Sequence, residues 1–182
     1  KPILDNADDI DLNNPFSRHH GLLLKDFINP DIHTIWVNVD DPEELSGTSR
    51  VNPKEVEAVG IVLKLLKQSN GLSEYMNHWD SLKDENKRKE EKEIGLISFY
   101  GHQVGKLKEI AKYSRAKLDI QIRLNTVDKF QGMERNIIIV STVRSDKKIE
   151  NGITKPNRDI GFAKSPQRLN VALSRAKRLL IV

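Results

Sequence analysis

Two arginines seven residues apart, Arg168 and Arg175, lie in the segment Gln167-Arg-Leu-Asn-Val-Ala-Leu-Ser-Arg-Ala176. A helix starting near Pro166 would place Leu169, Ala172, Leu173 and Ala176 on its apolar face and both guanidinium groups almost one above the other on its flank. Two such groups together suit a polyphosphate, because each donates bidentate hydrogen bonds and neither loses its charge. A surface ion pair with an acidic neighbour is the alternative use. A second segment, Asn125-Thr-Val-Asp-Lys-Phe-Gln-Gly-Met-Glu-Arg-Asn136, puts Thr126, Val127 and Asp128 at the end of a strand. Its Gly132 permits a close backbone approach or a positive φ. Glu134 offers an acceptor pair that fits ribose hydroxyls, or a solvated carboxylate beside a turn. Ser98, Tyr100 and Gln103 supply a hydroxyl, a stacking ring and an amide, and the guanidinium plane of Arg50 can stack on a base.

The elements that must hold these groups follow from periodicity. Ile32-His-Thr-Ile-Trp-Val-Asn-Val39 is rich in β-branched and aromatic residues and runs into Asp40-Asp-Pro42, so it reads as a strand ending in a turn. A helix is expected from Pro53 to about Gln68, with Val56, Val59, Leu63 and Leu66 on one stripe. Asn52 as N-cap, Pro53 at the first position and Glu55 at the third form its start signal, which is the structural use of Asn52 and Glu55. Strands are expected at Ile94–Phe99, around Ile120, Ile122 and Leu124, at Ile137–Val140 and near Leu179, with a helix carrying Val104, Leu107, Ala111 and Ser114 after the first of them. The continuous run Ile137-Ile-Ile-Val140 marks a strand covered on both faces. Alternation of strand and helix predicts an α/β fold, a parallel sheet with helices on both faces and its site in the loops at strand ends.

Several chemistries are excluded. The 182 residues contain no cysteine, so there is no disulfide framework, Cys-ligated zinc or thiol nucleophile. No apolar stretch approaches the ~20 residues that span a bilayer, and the first forty show no secretion signal. Asp5-Asn-Ala-Asp-Asp-Ile-Asp-Leu-Asn-Asn14 alternates acids as a calcium loop does, but has Asn14 where the loop requires Gly and His20 where it requires Glu, so an acidic linker is the better account. Gly101-His-Gln-Val-Gly-Lys106-Leu107 follows a strand and opens a helix as a P-loop would, yet it has three residues between its glycines instead of four and no Ser or Thr after the Lys. The net charge of +4 is uneven. Residues 1–45 hold 3 bases and 10 acids, residues 46–105 hold 9 of each, and residues 106–182 hold 18 bases and 7 acids. A C-terminal part at +11 is the footprint of a surface that meets phosphates, or ordinary lysine solubilisation.

The segments around Arg175 and Glu134 resemble motifs VI and V of superfamily 1 helicases, in the form used by the up-frameshift group and its DNA-directed relatives. Gly95-Leu-Ile-Ser-Phe-Tyr-Gly-His-Gln103 is similar to motif IV, with Phe99 where the family commonly has Pro, and Gly47-Thr-Ser-Arg-Val-Asn-Pro-Lys-Glu55 resembles the segment before the first large helix of the second RecA-like lobe. The four fall in family order across residues 46–182, with 70–93 unmatched. This resemblance implies a three-layer RecA-like lobe of P-loop NTPase type that lacks its own P-loop. It implies a catalytic arginine finger at Arg175 assisted by Gln131, and ATP contacts from Glu134, Gly132, Arg168, Arg50, Asn52 and Glu55. Single-strand contacts would come from Ser98, Tyr100, Gln103, Thr126, Val127 and Asp128. Arg50 stands where some relatives set an aromatic residue against adenine.

The expected whole is half of an ATP-dependent helicase or translocase, moving 5′ to 3′ on single-stranded DNA or RNA in the cytoplasm, nucleoid or nucleus. ATP and Mg2+ would sit mainly on a first lobe upstream, to which residues 1–45 form an acidic link. The chain starts at Lys1 and stops at Val182 inside an apolar run, as a fragment does, and is expected to be inactive alone. Two other readings are a nucleic-acid-binding or regulatory module without turnover, and the helicase lobe of a nuclease-linked repair protein. The charged run Lys83–Glu93, five bases and five acids in eleven residues, reads as a solvated helix or flexible insertion without chemistry.

Overall fold

A computed structural model describes residues 20–182; the acidic Asp5–Asn14 stretch lies outside them. The strands are β1 (Thr34–Ile35), β2 (Glu43–Ser46), β3 (Ser49–Val51), β4 (Ile94–Ser98), β5 (Ile122–Thr126), β6 (Arg135–Ser141), β7 (Lys147–Glu150), β8 (Ile153–Pro156) and β9 (Ala176–Ile181). The helices are α1 (Pro53–Gln68), α2 (Leu72–His78), α3 (Glu85–Lys92), α4 (Gly101–Tyr113), α5 (Val127–Phe130) and α6 (Pro166–Leu173).

Every residue of β4 and β6 is buried, so apolar side chains must be covered above and below. The five-stranded sheet does this in the order β1-β9-β6-β4-β5, with all neighbours parallel. Alternate residues feed two cores. Leu96, Ile137, Ile139, Leu179 and Ile181 pack with Val59, Leu63 and Leu66 of α1 and Leu107 of α4. Ile97, Ile138, Val140 and Leu180 pack with Val127 and Phe130 of α5 and Ala172 of α6 on the other face. This is the expected three-layer α/β, RecA-like arrangement.

Helix α1 has the expected limits, and the Asn52 side chain accepts from the Lys54 and Glu55 N–H groups. The Gly101–Lys106 segment forms no phosphate-wrapping loop, because α4 starts at Gly101 directly after Tyr100. Helix α6 differs from expectation: it ends at Leu173, where the Ser174 N–H bonds the Asn170 carbonyl. Arg175 therefore sits in the turn before β9, and the proposed stacking of Arg168 and Arg175 on one helical flank does not occur. A second sheet, in the order β3-β2-β7-β8, has no counterpart in the sequence reading. Its β7 sequence, Lys-Lys-Ile-Glu, gives no apolar alternation to find.

Residues outside the matched segments are built into the fold. Leu22 and Ile28 lie in the α1-side core, and β1 forms the sheet edge beside β9. The 70–93 stretch is mostly exposed, but its end is fastened to the first residues of β6 and β9. Asn136 Nδ2 donates to the Glu91 carboxylate, Lys177 Nζ lies 2.8 Å from the same group, and Arg135 pairs with Glu93 at 2.8 Å with both side chains nearly covered. Removing one partner of such a pair strands a buried charge. Glu93→Ala should therefore lower unfolding free energy by about 3 kcal/mol, measured by urea denaturation, whereas Glu90→Ala on the exposed side of α3 should change it little.

Candidate functional site

The sequence-derived residues divide between the two ends of the parallel sheet. Glu134 and Arg175 precede β6 and β9, so they share the strand-start edge, where the Arg135 N–H donates to the Arg175 carbonyl at 3.1 Å. Gln131, Gly132 and Glu134 are all exposed there. Gly132 has φ +80 and open space where a Cβ would stand, so the turn requires glycine for its backbone and not for room. The Phe130 carbonyl accepts from the Met133 N–H and closes the turn. Arg175 donates from Nη2 to Ser174 Oγ at 2.7 Å, while its Nε is buried without a hydrogen-bond partner. Among the described residues no carboxylate pairs with Arg175.

Ser98, Tyr100, Gln103, Thr126 and Asn52 gather at the opposite, strand-end edge, where Ser98 is level with Thr126 on one side and Ser141 on the other. Gln103 joins three elements: its Oε1 accepts from the Asn52 N–H at 3.0 Å, and its Nε2 donates to the Asn52 carbonyl and to Ser141 Oγ. Gln103 and Ser98 are 0% exposed and Val127 is 2% exposed. Direct strand contact by these three side chains is thus corrected: they are interior ties, and only Thr126 and Asp128 of that group reach solvent.

Asn52 is buried as the cap of α1, and Glu55 is half-buried with its carboxylate engaged within the fold. The Glu55 carboxylate accepts from Ser141 Oγ at 2.5 Å, Thr142 Oγ1 at 3.1 Å and the Val143 N–H at 2.9 Å. It does not reach back to its own helix cap, since Gln103 has taken the Asn52 N–H. The group it clamps is strained, because Val143 is a β-branched residue at φ +71. Arg50 pairs with Glu43 at 3.4 Å. Glu43, absent from the sequence reading, is a fully buried carboxylate that also meets Arg144 at 2.8 Å and accepts from the Ser145 N–H. Burial pushes its pKa up against those partners. Its only signal was an acid between Pro42 and a short strand, which many solvated residues share.

Arg50, Asn52 and Glu55 thus stand a strand length from Arg175 and Glu134. Seven residues of β6 separate the two edges, about 20 Å at ~3.3 Å per residue, so one nucleotide phosphate group cannot engage both sets. A cleft of about 130 Å3 beside Glu55, Thr142, Arg144, Trp36 and Val182 is below the ~300–1,000 Å3 of small-molecule pockets. Arg168 is committed as well: Nε and Nη2 donate to the two carboxylate oxygens of Asp128 at 2.9 and 3.0 Å.

A parallel sheet with helices on both faces and no P-loop in its described residues is a RecA-like α/β lobe. Comparison with known proteins agrees: a family model described as an AAA domain matches residues 6–182. The chain belongs to that family, in its superfamily 1 helicase form, and corresponds to the second RecA-like lobe of the up-frameshift group. It is 38% identical to the MOV-10 helicase of Gallus gallus over 148 residues, 79% of this chain and 14% of the relative. It is 43% identical to mov-10-B.1 of Danio rerio over 50% of this chain and 9% of the relative, and 45% identical to Helicase SEN1 of Saccharomyces cerevisiae over 46% and 4%. The chain therefore spans a small part of each relative. Among the described residues no helix is long and apolar enough to cross a membrane.

Burial holds the Glu55 carboxyl above its ordinary value of 4.5, although the Ser141, Val143 and Thr142 donors oppose the shift. A carboxyl raised by folding takes up its proton first in the folded state, so its contribution is present below 4.5 and is lost as pH rises through the folded value. Relative to Glu55→Gln, the wild-type chain should gain stability as pH falls from neutral toward 4.5. Parallel urea titrations of the two proteins at several pH values would measure this difference, in which the other carboxylates cancel.

Proposed function

We propose that this lobe closes over ATP bound on a first RecA-like lobe, with Arg175 as the arginine finger, and thereby drives movement along a single nucleic-acid strand. The observation that carries the reading is the state of Arg175. Arg168 of the same motif segment pairs with Asp128, whereas among the described residues Arg175 has no carboxylate partner and keeps an Nε without a hydrogen-bond partner. An orphaned guanidinium N–H at an edge open to a facing lobe fits a γ-phosphate, which accepts several charge-assisted hydrogen bonds. Exposed Glu134 and Gln131 share that edge, the first suited to ribose hydroxyls and the second to a polar contact beside the phosphates, while Gly132 shapes the turn that presents them.

ATP supplies the phosphoanhydride whose cleavage drives the cycle, and Mg2+ offsets phosphate charge. The described residues contain no group of three His, Asp or Glu side chains able to hold a cation, and the proposal assigns that ion to the upstream lobe and the nucleotide. What this chain contributes is positive charge where charge develops in phosphoryl transfer. The opposite edge, with Thr126 and the start of α5, offers a hydroxyl and backbone N–H groups for strand phosphates, contacts that do not read bases. Closing and reopening of the lobes would shift a strand held there.

In the full-length protein, Arg175→Ala should lower nucleic-acid-stimulated ATP hydrolysis by about 10³–10⁵ while leaving nucleotide affinity nearly unchanged; hydrolysis at the wild-type rate would refute the finger. Residues 1–182 alone should show no appreciable magnesium-dependent turnover, and a robust rate in a phosphate-release assay would overturn the two-lobe account.

A further inference from the structure

Phe162 is 46% exposed, yet it is held in place on several sides. It sits in the 3-10 turn Gly161–Lys164; its N–H donates to Tyr100 Oη at 3.3 Å, and its ring lies 4.9 Å from the Tyr100 ring with the planes 35° apart. The Arg168 guanidinium carbon is 4.6 Å from the centre of the same ring. That guanidinium is itself locked flat by its two hydrogen bonds to Asp128. The turn is shaped for the contact, since Gly161 has φ +52 and a Cβ there would lie within 2.1 Å of Tyr100 Oη. Only glycine lets the chain approach the hydroxyl so closely. Tyr100, at 5% exposure, anchors the column in the core.

An exposed aromatic ring fixed by a hydroxyl, a guanidinium and a dedicated glycine gains little from burial, so its solvent-facing surface calls for a different account. The column stands at the strand-end edge: Asp128 is two residues past Thr126, and Tyr100 two past Ser98. Flat, rigid surfaces accept nucleobases of any sequence, because every base has a π face and both aromatic rings and guanidinium planes stack on it.

We infer that Phe162 and Arg168, backed by Tyr100, form a stacking site for one unpaired nucleobase of the strand whose phosphates pass Thr126. The inference rests on the single-strand reading of this edge and adds to it a base contact. It also accounts for Arg168, which Asp128 turns away from a phosphate role and toward presenting its plane.

The test compares fluorescent single-stranded oligonucleotides binding to the full-length protein, one intact and one with abasic sites throughout but the same phosphates. Stacking worth ~1–3 kcal/mol per base predicts that Phe162→Ala weakens binding of the intact strand about 5- to 150-fold and leaves the abasic strand unchanged. Arg168→Lys, which keeps the charge and loses the plane, should weaken the intact strand selectively, and Phe162→Tyr should retain wild-type affinity. Equal losses on both strands, the result of misfolding or of a phosphate contact, would overturn the stacking site, as would no loss on either. Failure of the wild-type protein to bind any single strand would remove the single-strand reading as well, a result separate from failure of the column alone.

Discussion

Burial of β4 and β6 on both faces is the constraint on which the other features depend. A parallel strand in the middle of a sheet has no solvated side, so each of its side chains must be matched by a helix above or below. Residues 137–140 alternate strictly between the two cores, which assigns α1 and α4 to one layer and α5 and α6 to the other. Once the layers are set, the segments joining them have only two places to emerge. One is the strand-start edge, which receives Glu134 and Arg175, and the other is the strand-end edge, which receives Thr126, Tyr100 and the Glu55 clamp.

The two edges are stabilised by different physics. At the strand ends, polar side chains are tied to one another below the surface. Gln103 satisfies Asn52 and Ser141, and Glu55 holds the strained Val143. Such networks are rigid because any unsatisfied member in a low-dielectric interior is costly. At the strand starts, the Asn136, Lys177 and Arg135 side chains are braced by Glu91 and Glu93 of the charged insertion, while Arg175 is left without an ionic partner.

Much of this was legible before any tertiary contact was known. The limits of α1, its Asn52 cap and Pro53 start, the doubly covered strand and the failed P-loop at Gly101 all follow from local chemistry that acts within a few residues. The positive φ of Gly132 was legible for the same reason. Less legible were the β7–β8 hairpin, whose lysines and glutamates mask its strand character, and Glu43, whose neighbours resemble any acidic turn. The shared flank of Arg168 and Arg175 was misjudged because helix periodicity continues in sequence past Leu173, whereas the chain must leave the helix to enter β9 beside β6.

From the sequence alone came the fold class, the order of the helicase-like motifs and the presence of arginines and a glutamate suited to phosphate and ribose, because these depend on residue type and short spacing. Which of those residues face outward was decided only in three dimensions. Gln103, Asn52, Ser98 and Glu55 look like binding groups in one dimension, yet packing engages them within the fold: Gln103 and Asn52 bond each other, Ser98 accepts from the Tyr100 N–H, and Glu55 accepts from Ser141, Thr142 and Val143. Arg168 and Asp128, forty positions apart, neutralise each other because α5 and α6 share a layer, and among the described residues Arg175 is left without a carboxylate partner at the strand-start edge.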